Sequence, residues 1–579
     1  MGRRILCRLL PGYALLLALL VVGPLLGPGY LLLRDAVSTP RSYLSDSALG
    51  LTAAPRATPQ DFAVALASHL VDGGVVVKVL LVLGLWLAGW GAARLVATAL
   101  PQAGAAGQFV AVTLAIWNPY VGERLLQGHW SLLVGYGCLP WVATTMLRLR
   151  STEIGWPGGL FGLACWIALA GLTPTGLMLA ATVGLVCAAA PVADPVSGPA
   201  GPRPRWLCAA AALGAALVAA LPWLTASVLG STLTAHTAAN ALGVSAFAPR
   251  AEPGLGTLAG LASLGGIWNA EAVPSSRTTL FAVVSAVLLL GVVGAGLPAA
   301  ARCPAGPPLL VLAAVAVLVP AGLATGPGLH LLSAVVDAVP GLGVLRDGQK
   351  WVALALPGYT LAGAGAVVTL RRLLSPAVTA PLCCVALILA LPDLAWGVWG
   401  EVAPVHYPRG WTAVAAAIND QPRTVAALPA GTMRRFRWSG PAPVLDPLPR
   451  WVRADVLTTG DLTISGVTVP GEGNHARAVQ ELLLTGPDPA ALARAGVGWL
   501  VVESDSAGDM GAAAHTLGAV APTYRDDEFA LYRIGGDTAG VSPGRRRATV
   551  IAHLAWLALL IVGTAGAAVT TAGALRPRR

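Results

Sequence analysis

Apolar runs of about 20 residues recur along this chain, and no other feature narrows its fold as far. Stretches such as "ALLLALLVV" (14–22) and "VVVKVLLVLGLWLAGWGAARLVATA" (75–99) have the length needed to cross a hydrocarbon core of about 30 Å as helices. They are continuously apolar rather than alternating, which excludes a membrane β-barrel. Composition agrees: 56% of residues are hydrophobic and only 11% charged, against about 25% charged in an ordinary soluble domain. The chain reads as an all-α polytopic membrane protein with about 12 transmembrane helices. The expected spans are 10–33, 73–99, 105–120, 130–147, 156–172, 174–190, 207–229, 278–298, 307–325, 351–370, 377–398 and 549–573. "MGRR" precedes the first run as it would in a signal peptide, but the length of that run and the many later ones favour a first transmembrane helix. Spans 105–120 and 156–172 are marginal in length, and the turn "LTPTG" is tight, so broken helices are expected there.

Basic residues set the orientation. "MGRR", "RLR" (148–150), "RPR" (203–205), Arg302, "RR" (371–372) and the closing "RPRR" fall on one face if both termini are cytoplasmic. "GRRR" (544–547) is the exception. The net charge of +10 is then mostly arginine facing anionic lipid headgroups, and no nucleic-acid partner is implied. The expected organisation is a membrane domain over 1–400, an extracytoplasmic α/β domain over 401–545, and a last helix with a basic cytoplasmic tail over 546–579. Within the second of these, "RTVAALPA" and "VGWLVVES" read as short buried strands, and "GWTAVAAAINDQ" and "GNHARAVQELLLTG" as amphipathic helices.

Four external stretches interrupt the membrane domain. Residues 34–72 hold Asp35, Asp46, Asp61, His69 and Asp72, and their segment "QDFAVALASHLV" has an apolar face suited to lying along a membrane surface. Residues 118–130 hold Glu123, Arg124 and His129, and 230–277 hold His236, Asn240, Arg250, Glu252, Trp268, Asn269 and Glu271. Residues 326–350 end on Arg346, Asp347 and Lys350. The eight cysteines lie in membrane or cytoplasmic segments with no CxxC pair, so neither a disulfide framework nor a metal site is expected. A divalent cation is the one cofactor left open. "GLGVLRDGQK" lacks the phosphate-loop spacing.

"WNPYVGERLLQGHW" (117–130) has two readings. It is either an external turn anchored by its aromatic residues with a local Glu123–Arg124 pair, or the lining of a headgroup-depth cavity, since charges at membrane depth tend to face an interior site. On the second reading Arg124, His129, Arg346 and Lys350 bind a lipid-linked phosphate. Trp117, Asn118, Tyr120, Trp130, Trp268 and Glu271 line the cavity or the acceptor path. A carboxylate beyond the first span takes a proton from a sugar hydroxyl while the cations stabilise the departing phosphate; Asp35 is the first choice, with Glu123 and Asp347 in reserve. Asp35 has its own bland reading, as a salt partner of Arg34 or Arg41. That chemistry is glycosyl transfer from a polyprenyl-phosphate sugar donor to a cell-envelope glycan or lipid acceptor, with membrane lipids as the surrounding partners. A lipid or polysaccharide flippase and a non-catalytic envelope assembly protein are the alternatives.

The "RD" after the first span, "WNPYVGERLLQGHW", "LRDGQKW", the amphipathic loop segment, the dozen helices and the terminal α/β domain resemble the C superfamily of polyprenyl-phosphate-sugar-dependent membrane glycosyltransferases. They also resemble actinobacterial membrane proteins related in layout to arabinofuranosyl- and mannosyltransferases. The resemblance implies a first-loop carboxylate as base, carried here by Asp35, a decaprenyl- or undecaprenyl-phosphate-like donor and an extracytoplasmic acceptor. Many members pair two acids in that loop, where this chain has Arg34–Asp35.

Overall fold

The computed structural model describes residues 2–52, 57–192, 201–230, 237–339, 341–464, 466–538 and 540–574. His236 and the closing basic tail lie outside them. Among the described residues, eight helices are long and apolar enough to cross a membrane: Leu9–Leu26, Gly73–Ala99, Trp130–Arg150, Arg205–Leu229, Phe281–Arg302, Gly306–Leu323, Gly348–Arg372 and Pro543–Gly573. A ninth span is available if Pro376–Ala390 and Pro392–Trp399, bent by 73°, count as one. This is a multi-pass membrane protein with eight or nine candidate spans, fewer than the dozen expected from the apolar runs. The difference lies in helix breaks. Gly104–Ile116, Trp156–Ala170 and Pro174–Ala189 hold 13, 15 and 16 residues, which is about 20–24 Å of helix and short of a full crossing.

Each break has a local cause. Pro174 opens its helix under a Thr173 cap, whose side chain accepts from the Gly176 N–H. Asn118 caps the short helix Pro119–Leu126 by accepting from the Val121 N–H at 3.1 Å. An Asx cap followed by proline starts a helix and cannot continue one. The run 105–147 therefore folds as helix, break, short helix, turn, helix, with Glu123 and Arg124 on the short helix and His129 in the turn after it.

The sheet domain precedes the last helix. Strands β1 (Val425–Leu428), β2 (Trp499–Glu503), β3 (Pro522–Arg525) and β4 (Phe529–Arg533) align in the order β1-β2-β4-β3. β1 and β2 pair in parallel, as expected when the crossover between them carries the helix Asn474–Leu484, while β4 is antiparallel to both its neighbours. All four sequence-read elements are present, and the antiparallel edge is an addition. Trp411, from helix Arg409–Asp420, is fully buried beneath the sheet and stacks on Trp451 at 5.5 Å.

The stretch after the first helix joins this domain to the membrane helices. Leu32 and Val37 belong to the same buried apolar cluster as Trp411, Val444 and Trp451. The Val405 N–H donates to the Tyr30 carbonyl at 2.9 Å and the Leu445 N–H to the Arg34 carbonyl at 2.8 Å. The amphipathic segment forms the helix Gln60–Ala67, but its apolar side is covered by protein: Phe62 is buried against His553 of the last helix at 4.7 Å.

Candidate active site

Leu32–Leu33 and Ala36–Val37 pair antiparallel, with Leu33 opposite Ala36, so Arg34 and Asp35 are the two loop residues of a tight hairpin. Arg34 takes a positive φ of 48°, a conformation that a non-glycine residue keeps only when its surroundings hold it there. Its guanidinium donates to the carbonyls of Leu126 and Glu271, both at 2.6 Å. The Asp35 N–H donates to the Gln127 carbonyl at 3.1 Å. Gly128 completes the seat. With φ +83°, a Cβ there would lie 2.3 Å from the Ala36 nitrogen and 2.4 Å from the Leu33 oxygen, so only glycine lets the hairpin approach this closely.

The tip of the hairpin thereby meets the break at 117–129. His129 Nε2 lies 2.9 Å from Asp35 Oδ2, and Gln127 Nε2 donates to the same oxygen at 3.1 Å. Asn269 Nδ2 in turn donates to Gln127 Oε1 at 2.8 Å. Arg124 donates to both oxygens of Asp347, at 2.8 and 3.0 Å, as well as to Gln349 Oε1, and its Nη1 is 3.0 Å from His129 Nδ1. Lys350 Nζ stands 3.6 Å from Asp347 Oδ2. Glu123 accepts from the Gly266 and Ile267 N–H groups at 3.0 and 3.1 Å and from Gln349 Nε2 at 2.9 Å. Behind it, Arg277 donates to Glu252, Ser263 and Ser285 in a fully buried cluster. A chain of polar contacts thus runs from Asp35 through His129, Arg124 and Gln349 to Glu123.

Exposure divides this chain into a working edge and a support. The Asp35 side chain is 35% exposed, Lys350 25% and His129 15%, while Glu123 and Arg124 are fully buried. Partial burial pushes the Asp35 carboxyl up, but the bonds from His129 and Gln127 and the charge of Lys350 outweigh it and hold the group below the ordinary carboxylate range. Burial likewise opposes ionisation of Asp347, and the Arg124 and Lys350 charges more than reverse that. Burial and the nearby Glu252 carboxylate push Glu123 up to about 8, against the pull of Arg277 and Arg124.

Several sequence-read roles change accordingly. Glu123 and Arg124 are not a local pair: both are fully buried, and the Glu123 carboxylate and the two Arg124 Nη atoms bond to other protein groups. Asp347 is Arg124's bidentate partner and so is unsuited to act as a base. His129 faces Asp35 and Arg124 rather than an open phosphate site. Trp117, Asn118, Tyr120 and Trp130 are buried in protein contacts: Trp117 Nε1 donates to the Leu391 carbonyl at 2.8 Å, Asn118 is the helix cap, and Tyr120 stacks on Tyr136 at 5.2 Å. Trp268 stays half-buried against Phe247, and Glu271 is exposed beside Arg34. Arg346 lines an apolar cavity of about 250 Å³ between Val315, Val319, Leu332 and Trp351. Asp35 does not pair with Arg34 or Arg41. Among the described residues no group of three or more His, Cys, Asp or Glu side chains converges as a metal would require.

Sequence reasoning missed Gln127, Gln349, Asn269 and Gly128 as parts of the site. Their signal was position: three amides and a glycine inside the same polar stretches, where an apolar boundary segment has no need of them.

The fold itself has a relative among solved structures. The chain superposes on the cryo-EM structure of the arabinofuranosyltransferase AftD from Mycobacteria with a TM-score of 0.57 and 18% identity, over 93% of this chain and 40% of that one. A structure of a single-residue variant of the same protein gives a TM-score of 0.55 at 16% identity, over 93% and 42%. The likeness is one of fold, and the chain spans about two-fifths of that protein's length. No family profile and no curated protein matches the chain.

Proposed function

We propose that the chain transfers a sugar from a polyprenyl-phosphate donor to a hydroxyl of a cell-envelope glycan or lipid on the extracytoplasmic face, with Asp35 as the base. The observation that carries this reading is the state of the Asp35 carboxylate. Both donated bonds land on Oδ2, and among the described residues none is donated to Oδ1, so one oxygen of an ionised, partly exposed carboxylate is left for an acceptor hydroxyl. In the reaction the acceptor oxygen bonds to the anomeric carbon, the bond from that carbon to the phosphate oxygen breaks, and its electron pair leaves with the polyprenyl phosphate. Asp35 Oδ1 takes the hydroxyl proton. A carboxylate of low basicity suits an oxocarbenium-like transition state, in which the hydroxyl becomes acidic only as the new bond forms.

Lys350, whose charge acts on Asp35 and whose side chain is one-quarter exposed, stabilises the leaving phosphate. Arg346 joins it from the rim of the apolar cavity, whose lining suits an isoprenoid chain. The likeness in fold to an enzyme named as an arabinofuranosyltransferase supports the same class of reaction. Transfer of radiolabelled sugar from synthetic polyprenyl-phosphate donors by purified protein tests the reading. Asp35→Asn keeps the shape and removes the base, so it lowers transfer by roughly 10²–10⁴-fold. Full activity in that variant rejects Asp35, and absence of transfer by the wild type across a panel of donors and acceptors rejects the reaction.

A further inference from the structure

Histidine beside a carboxylate and a phosphate-binding lysine invites the reading of a charged imidazolium. The contacts of His129 point elsewhere. An arginine guanidinium has only donors, and Arg124 Nη1 sits 3.0 Å from His129 Nδ1. That nitrogen must therefore present a lone pair. Arg124 has no freedom to turn away, because Asp347 grips it from two sides and Gln349 takes a third bond. With Nδ1 accepting, the ring proton is on Nε2, which faces Asp35 Oδ2 at 2.9 Å.

We propose that His129 is a neutral positioning residue, locked by Arg124 as its Nε2–H tautomer, which orients Asp35 so that Oδ1 faces the acceptor. The proposal rests on the glycosyl-transfer reading for the meaning of Asp35, but not for the tautomer. The charged groups facing the ring are Asp35 from the hairpin, Arg124 from its own short helix, and Lys350 from the stretch after Asp347. Burial and the two cations disfavour the imidazolium more than Asp35 favours it, which lowers the basicity of the ring. A neutral donor has a chemical advantage over an imidazolium here. It orients the carboxylate through one directed bond, and unlike an imidazolium it has no acidic proton to hand to Asp35, which stays ionised for the acceptor.

Two substitutions separate this role from a charged one. Glutamine carries both a donor that reaches toward the Nε2 position and an acceptor for Arg124, but it can neither be a cation nor shuttle a proton. His129→Gln is expected to keep transfer within about tenfold of wild type, whereas His129→Leu, which fills the space without either bond, loses about 10²-fold through misplacement of Asp35. A Gln variant as inactive as the Leu variant, with both still folded, overturns the proposal. Independently of activity, ¹⁵N-histidine solid-state NMR of the protein in lipid, with His129 assigned by difference from His129→Gln, reads the tautomer. A protonated Nε2 and a bare Nδ1 that persist from about pH 8 to below the ordinary histidine value of about 6.5 are expected. An imidazolium in that range, or a protonated Nδ1, refutes the lock. If the wild type transfers no sugar, the functional reading fails while the NMR result still decides the tautomer.

Discussion

At the scale of residues, burial separates the groups proposed to meet a substrate from those that hold them in place. Arg124 and Lys350 carry the same charge within one network, yet one is fully buried and the other is one-quarter exposed. Arg124→Met strands the Asp347 carboxylate in an interior that cannot hydrate it, a loss of about 3–5 kcal/mol, and thermal unfolding in detergent should show it as a large drop in Tm. Lys350→Met instead leaves Tm nearly unchanged and weakens binding of a polyprenyl-phosphate sugar by roughly 10- to 100-fold, about 1.4–2.8 kcal/mol. Equal effects of the two on Tm and on affinity would contradict the division. The pH dependence follows from Asp35. Its carboxyl is held below the usual range, so it stays ionised as pH falls from neutral and is protonated only below the ordinary aspartate value of about 3.9. The profile of kcat/KM should show no acid limb above about pH 5, and a limb near 6.5 would assign the essential ionisation to a histidine instead.

At the scale of elements, the active edge depends on two pieces of irregular backbone pressed together: the hairpin Leu32–Val37 and the break after Ile116. Gly128 is their closest approach. Gly128→Ala adds a Cβ where 2.3 Å is available and demands φ +83° of an L-residue, so the hairpin must move away from His129. A destabilisation of at least about 1 kcal/mol with a fall in transfer is expected, measured by thermal unfolding and by sugar release. Retention of both would mean that the hairpin's seat tolerates displacement. The position of the break was legible in "WNPYVGERLLQGHW", because Asn118–Pro119 is an Asx cap followed by proline. Its partner was not, because 92 residues separate Arg34 from Leu126, and nothing in hydropathy ties a loop after one helix to a turn between two others.

At the scale of the whole molecule, the sheet domain and the membrane helices share the stretch after the first helix as common ground, so the side on which that domain lies decides the side of the proposed reaction. A cysteine in place of the exposed Ala519 should react with an impermeant thiol reagent in intact cells, and protection until lysis would invert the orientation. Sequence alone determined the class of the molecule and the stretches proposed to carry its chemistry. Apolar length dictates membrane helices, charge is too costly in hydrocarbon to be placed idly, and so Asp35, Glu123–His129 and Arg346–Lys350 stood out as three stretches. The two strands and two helices of the sheet domain were also legible, since alternation and helical period are local properties. Breaks in the marginal runs at 105–120 and around "LTPTG" were expected, but the number of spans was not legible, because only the caps and prolines as folded fix pieces of 13–16 residues there. Only the tertiary structure decided which charges pair. Glu123 and Arg124 are neighbours in the chain but point to different partners, at 267 and 347, because a short helix sends successive side chains to different faces. The acid left at the surface is the one whose second oxygen no neighbouring element covers, and that follows from how the hairpin, the break and the 347–350 stretch meet in space.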